Sequence, residues 1–388
     1  MRILMSSTAD AGHLRPMLPF ARALVEAGHE VQAAAPRSAA PLLEGAGLRL
    51  WSCDDVAPEV LATFHEAIAR DPARMREIMV RDVWADAAAR AFLPGVLAAI
   101  DIWQPDVVLR DTLEFASAVA ADMRSVPHVQ MLHGRAGILL DVRDEAAGAL
   151  TRLRRFVGLP ADPEGRALRT PCLTRLPEFL DEPYTAGPAE IHRFRGTGGE
   201  VAGEPLPAWW ANPRGPLVYV TFGTVLMRRP EQRARLRALV EAVGDLPVRL
   251  LVTYGGNPDD EAWPTLPPNA HVVDWVDQER VLREAAAVVH HGGMGNVLET
   301  LSAGVPSVVV PHGGDAPGNA ARVVEAGAGL SVDPAGEVPF DPADVRAALA
   351  RVLSEPAFAA AARRAAGLIE SLPAIEKAVT VFEDARRA

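Results

Sequence analysis

The sequence predicts two doubly wound α/β domains in tandem, each a parallel sheet covered by helices on both faces. Three observations predict it. The chain has 388 residues, too long for one ordinary domain and comfortable for two. Short apolar runs alternate with helical patterns over residues 1–130, and the same alternation restarts near residue 217. Between the two series lies Arg195–Pro216, rich in glycine and proline and carrying Trp209-Trp210, a linker composition. The expected domains are therefore 1–200 and 216–370, with a helical stretch 371–388 after them.

In the first series, Arg2–Ser7 reads as a strand. Pro16–Ala27 reads as a helix, with proline near its start and Gly28 just past its end. Glu30–Ala35, Leu48–Cys53, Val107–Asp111 and His128–Leu132 read as further strands, with a helix around Glu114–Met123. Residues 55–104, largely helix and loop, and 134–190, irregular and mixed, read as insertions on the core sheet. In the second series the strands are Leu217–Gly223, Arg249–Gly255, Ala270–Val276, Ala287–Gly292 and Ser307–Pro311. Helices are expected over Pro230–Val243, Gly295–Ala303, Asp315–Ala326 and Asp341–Leu353.

Composition excludes several classes. The net charge of −11 argues against a nucleic-acid binder, which needs a basic face. Two cysteines, Cys53 and Cys172, lack metal spacing and read as buried thiols in a reducing cytoplasm. No apolar run reads as a membrane span, and Met1–Phe20 does not read as a signal peptide.

Ligands of open parallel sheets bind at the carboxyl ends of strands. The loop after the first strand carries Gly12-His13 and no G-x-G-x-x-G dinucleotide fingerprint. Gly12 permits an unusual backbone there, and His13 is a candidate general base, the alternative being local packing. Asp111 ends the fourth strand. It could orient His13, or cap the segment that follows. In the second series, His290-His291-Gly292-Gly293-Met294-Gly295-Asn296 lies between a strand and a helix. Glycines that let backbone approach a ligand, at a helix N-terminus, suit a diphosphate. The alternative is a turn chosen for tight packing. Thr224, after Thr221-Phe222-Gly223, could donate to the same phosphates or act as a helix cap. Trp275 could stack on a base or sit in the core. Asp315 could accept hydroxyl hydrogen bonds or cap a helix.

Taken together these loops resemble family-1 nucleotide-sugar glycosyltransferases of the GT-B fold, specifically bacterial natural-product enzymes. The resemblance rests on GHLRPM at 12–17, TFGT at 221–224 and HHGGMGNVLETLSAGVPSVVVPHGGDAPGNAARVVEAGAG over His290–Gly329. It implies two domains facing across a cleft, with the C-terminal helix crossing back to the first. It implies that His13 is the base and Asp111 the carboxylate behind it. Trp275 and Val276 would meet the nucleobase. Thr224, His291, Gly293, Met294, Gly295 and Asn296 would meet the diphosphate, Glu299 the ribose and Asp315 the donor sugar, with Gly12 also against the donor. The chain departs from the family at Asn296, where Thr or Ser is common, at Ala316, where Gln usually follows the aspartate, and at Asp277, where proline is usual. Loss of the Gln amide suits a deoxygenated sugar.

The expected function is inverting transfer of a sugar from a dTDP or UDP donor to a hydroxyl of a small hydrophobic acceptor. No metal or other cofactor is expected, and the chain has no D-x-D tripeptide. Trp84, Phe64, Met75, Met79 and Phe92 are candidates for lining the acceptor site, or core. The expected state is a cytoplasmic monomer or homodimer without nucleic-acid partners. The rivals are a nucleotide-sugar 2-epimerase of the same fold and a catalytically silent sugar-nucleotide-binding partner protein.

Overall fold

The computed structural model describes residues 1–163, 165–181, 190–196, 215–223, 227, 229–255, 263, 266–332 and 340–387. The chain divides into two compact units, Met1–Thr197 with Leu372–Ala388, and Gly198–Ser371.

The first unit is built on β1 (Arg2–Ser6), β2 (Glu30–Pro36), β3 (Arg49–Cys53), β4 (Val107–Asp111), β5 (His128–Leu132), β6 (Cys172–Thr174) and β7 (Ile191–Arg193). Their order is β3-β2-β1-β4-β5-β6-β7, and every pairing is parallel. Alternation along each strand sends side chains to two separate cores. Ile3, Met5, Val107 and Leu109 meet the helix Leu18–Glu26 and the C-terminal Ile375, Val381 and Phe382 on one face. Leu4 and Val108 meet helices Ala89–Trp103, Ala116–Arg124 and Gly137–Phe156 on the other. Strands buried on both faces need apolar residues at successive positions, which explains runs such as Val107-Val108-Leu109.

Three expectations change here. Residues 134–190 are no insertion: they supply a 20-residue helix, Gly137–Phe156, and strand β6 of the sheet, and lead directly into β7. Strands of three residues are too short to register a period of two. Within 55–104, helix Ala89–Trp103 is the crossover that packs on β2 and β3, and Ile78–Ala88 before it is wound as a π-helix. The run Met75–Trp103 is also long and apolar enough to pass for a membrane span. Its Phe92, Leu93, Val96 and Ile100 are instead spent on the protein core, so Phe92 does not line an acceptor site. Finally, the first helix starts at Ala11 rather than Pro16, because Asp10 caps it by accepting the Gly12 N–H.

The second unit repeats the plan with β8 (Leu217–Thr221), β9 (Arg249–Thr253), β10 (Ala270–Val273), β11 (Ala285–His290), β12 (Ser307–Val309) and β13 (Gly329–Ser331), in the order β10-β9-β8-β11-β12-β13, all parallel. Val218, Val220, Leu250 and Val252 pack under helices Pro230–Val243 and Pro342–Ser354. Leu217, Tyr219 and Leu251 face Val281 and Leu282 of helix Gln278–Glu284 on the opposite side. That helix, β13 and Pro356–Glu370 were not anticipated. β10 stops at Val273, two residues before Trp275.

Helix Ala89–Trp103 crosses β3 at Gly95. A Cβ there would lie 2.8 Å from Cα and Sγ of Cys53. Gly95→Val should cost at least about 1–3 kcal/mol by overpacking. A thermal melt of the variant should show the transition several degrees lower.

Candidate active site

The order in which strands are added reverses once in each sheet, between β1 and β4 in the first unit and between β8 and β11 in the second. Loops leaving those two strands depart to opposite faces and leave a crevice at the carboxyl edge. The sequence-predicted residues fall into two groups, one at each reversal.

In the first unit, His13 lies in the helical turn Ala11–Leu14 after β1, and Asp111 is the last residue of β4. His13 Nδ1 lies 2.8 Å from Asp111 Oδ2. A carboxylate only accepts, so Nδ1 carries the proton and the basic lone pair is on Nε2. Asp111 is 1% exposed. Burial alone would raise its pKa, but the nearby imidazoles of His13 and His133, the His13 hydrogen bond and the Leu113 N–H outweigh it. The carboxyl is held well below the usual range and stays ionised. Oδ1 accepts the Leu113 N–H at 2.9 Å, so Asp111 also pins its own turn, and Oδ2 accepts the Ser7 hydroxyl at 3.3 Å. Gly12 does not use glycine's conformational freedom: its φ is not positive and its N–H bonds Asp10.

Three neighbours escaped the sequence reading. His133, just after β5, stacks on His13 with ring centroids 4.0 Å apart, and its Nδ1 lies 3.4 Å from Asp111 Oδ1. Burial, with the like charge of His13, pushes its pKa down to about 4, so it is neutral at pH 7. Arg110, fully buried on β4, donates from Nη1 to the carbonyls of Asp111 (3.1 Å) and Thr112 (3.3 Å) and from Nη2 to Gln130 Oε1 (2.6 Å). Glu114 accepts the Ser6 hydroxyl at 2.8 Å and the Ser117 N–H at 3.1 Å, and burial raises its pKa. This layer stiffens the strand end that presents Asp111. Trp84 is half-buried, its ring 6.1 Å from that of His13. A strand-end His-Gly step marks His133-Gly134, as it does His291-Gly292 and His312-Gly313, and was the available signal.

In the second unit, His291 follows β11 and its ring is caged by glycines. A Cβ on Gly293 would lie 2.4 Å from its Nε2, and one on Gly223, where φ is +71°, 2.9 Å from its Cε1. Gln278 Nε2 donates to Asn296 Oδ1 at 3.1 Å, which turns the Asn296 amide nitrogen to His291 Nδ1 at 3.3 Å. His291 therefore carries its proton on Nε2, at the N-terminus of helix Met294–Ser302. Burial lowers its pKa to about 4, so it serves as a neutral donor. Gly293 is the helix N-cap residue, and the N–H groups of Met294, Gly295 and Asn296 open the helix. The Met294 side chain itself is buried. Glu299 is half-buried, one turn along the face of Asn296.

Asp315 precedes helix Ala316–Glu325 but makes no side-chain cap; Asn319 Nδ2 donates to its Oδ2 at 2.9 Å instead. The same Nδ2 donates to the Gly292 carbonyl at 2.9 Å. Buried Asn319, the residue not anticipated here, thus ties the His291 loop to the Asp315 loop. Trp275 is 67% exposed, which rules out the core reading. Val276 packs on the cluster of Leu217 and Leu282. Asp277, in place of proline, caps helix Gln278–Glu284 by accepting the Arg280 N–H. Thr224 lies outside the described residues. Among the described residues, His13, Asp111 and His133 form a group with metal-ligand chemistry.

Two family models match this chain. One is described as the N-terminal domain of erythromycin biosynthesis protein CIII-like proteins, over residues 22–159, and the other as their C-terminal domain, over 237–382. The chain belongs to this family of natural-product glycosyltransferases. The transferase is 34% identical over 345 residues to L-demethylnoviosyl transferase of Streptomyces niveus, covering 86% of this chain and 85% of that protein. It is 35% identical to elloramycin glycosyltransferase ElmGT of Streptomyces olivaceus, covering 96% and 94%. Among solved structures it resembles glycosyltransferase VinC in complex with dTDP, with a TM-score of 0.79, 28% identity and full coverage of both chains. Spinosyn rhamnosyltransferase SpnG complexed with thymidine diphosphate matches with a TM-score of 0.81 and 25% identity, over 99% of this chain and all of that one. The fold is GT-B and the protein is an enzyme. These relatives are transferases, which leaves the epimerase and silent-partner readings without support.

Asn319→Ala strips a buried carbonyl and a carboxylate of their shared donor. The transferase should lose about 1–3 kcal/mol of stability, read as a lower melting temperature with unchanged secondary structure by circular dichroism.

Proposed function

We propose that the enzyme transfers a deoxysugar, with inversion, from a dTDP-sugar to a hydroxyl of a small, largely hydrophobic natural product. The observation that carries the proposal is the His13–Asp111 hydrogen bond, which leaves the basic lone pair on Nε2. In the proposed step the acceptor hydroxyl gives its proton to His13 Nε2 while its oxygen bonds the anomeric carbon. The bond from that carbon to the diphosphate oxygen breaks, and the nucleoside diphosphate leaves. Asp111 acts as a positioning residue that stabilises the imidazolium. His291 Nε2–H and the N–H groups opening helix Met294–Ser302 take up charge on the departing diphosphate, a role that needs neither metal nor other cofactor. Thr224 belongs to the same proposed set. Exposed Trp275 offers a stacking face to the base, backed by Val276; Glu299 binds the ribose and Asp315 the sugar hydroxyls.

Thymidine is favoured over uridine because the ligands named with VinC and SpnG are dTDP and thymidine diphosphate. A deoxysugar is favoured because relatives are named for desosaminyl and 2-deoxy-L-fucose transfer. Ala316, which is buried and has no amide to offer a sugar hydroxyl, agrees with that choice. The free, buried thiols of Cys53 and Cys172 suit a cytoplasmic setting.

His13→Ala should lower kcat by about 10²–10⁴-fold, the usual share of a general base, while dTDP affinity by calorimetry stays within about twofold. Wild-type turnover in that variant ends the base assignment. In a thermal-shift panel of dTDP, UDP and GDP, dTDP should raise the melting temperature most, and His291→Ala should shrink that rise. An equal response to all three nucleotides would contradict the donor choice.

A further inference from the structure

Two imidazoles converge on one carboxylate in the first unit, and the proposed sugar transfer uses only one of them. His13 Nδ1 sits 2.8 Å from Asp111 Oδ2 and His133 Nδ1 sits 3.4 Å from Asp111 Oδ1. One ligand atom from each of the three residues lies within 4.8 Å of the others. His133 Nδ1 is buried and makes no hydrogen bond of sound geometry, although it faces a carboxylate. The three side chains leave separate strand ends, after β1, at the end of β4 and after β5, and the Arg110 and Ser7 hydrogen bonds hold the middle one in place. A set of two nitrogens and one carboxylate held this way is preorganised for something other than a single proton.

We propose that His13, Asp111 and His133 form a binding site for a borderline transition-metal cation of the Zn²⁺, Co²⁺ or Ni²⁺ class, and that occupancy switches the enzyme off. Two imidazoles and one carboxylate select such ions over Mg²⁺ or Ca²⁺, which require mostly oxygen ligands. Bonds of about 2.0–2.2 Å to a tetrahedral ion put ligand atoms roughly 3.3–3.6 Å apart, so the His13–Asp111 pair, at 2.8 Å, must open by about half an ångström as the ion displaces its shared proton. Three protein ligands leave at least one position for water.

Inhibition follows from the tautomer and rests on the base assignment above. A cation on His13 Nδ1 takes the place of the proton shared with Asp111. The neutral imidazole must then carry its proton on Nε2, and the lone pair that would accept the acceptor's proton no longer exists. The ion would be an inhibitor competing with the base, not a participant in transfer.

The test uses the full, untagged chain, first stripped with a chelator and then titrated with Co²⁺ and Zn²⁺. Co²⁺ should give a visible absorption band that saturates at one equivalent and is displaced by Zn²⁺. His133→Phe, which keeps the stacked ring, and His133→Ala should each weaken Co²⁺ binding by at least about 10- to 100-fold, since even outer-shell changes cost that much. Retained dTDP affinity and an unchanged circular dichroism spectrum would show that the variants are folded. Absence of a saturable Co²⁺ band, or binding unaffected by both variants, overturns the site. Zn²⁺ at saturation should abolish transfer, with chelator restoring it. Zn²⁺ bound at this site with transfer intact overturns the switch and leaves the metal site standing; failure of the base assignment is marked separately, by wild-type turnover of His13→Ala.

Discussion

The whole arrangement depends on a reversal of strand order in the middle of each sheet. In the first unit the chain adds β2 and β3 on one side of β1, then returns to add β4 to β7 on the other. Right-handed crossovers then force the connections on the two sides onto opposite faces. The two-core pattern records this: Leu4 and Val108 face one set of helices, while Ile3, Met5, Val107 and Leu109 face another. Only at the reversal do two neighbouring strands release their chains in opposite directions. His13 and Asp111 come from those two strands, as do Gly223 and His291 in the second unit.

What the crevices hold differs in charge and therefore in chemistry. In the first, a carboxylate is taken out of water and kept ionised by several donors and two imidazoles, so it orders a proton rather than carrying one. In the second, no acid touches the His291 ring among the contacts described. Its neutral N–H joins the open end of a helix, and two glycines make room for the ring. Burial lowers the pKa of both His133 and His291 to about 4, but the first faces a carboxylate and the second an amide. Identical side chains acquire different uses from their neighbours.

Sequence reasoning located the long, strongly patterned elements and the strand-end residues, because burial on two faces and glycine-rich turns leave marks on composition. Val107–Asp111 and His128–Leu132 match residue for residue. It missed β6, β7 and β13, whose three residues cannot show a period, and helix Pro356–Glu370, whose buried face is Ala361, Ala362 and Ala365 with a single larger residue, Ile369. At the sites it found residues lying on one loop, such as His291 and Asn296. It overlooked His133, Arg110 and Asn319, whose importance is created by contacts with His13, Gln130 and Gly292 respectively, all on other elements. Trp275 shows the reverse case: a tryptophan beside a strand reads as core or as a stacking platform, and only its exposure in the fold excludes the core.

Residues 1–197 do not by themselves finish the core of the first unit. Ile375, Ala378, Val381 and Phe382 belong to the same apolar cluster as Ile3 and Met5, and Arg386 pairs with Asp106 at 3.1 Å. On the ribosome, residues 1–197 therefore emerge lacking a piece that is made only after all of Gly198–Ser371. At about 5–20 residues per second that delay is roughly 10–40 s. Through that interval the nascent half exposes the greasy seat of Phe382, a vulnerable surface for a chaperone to shield.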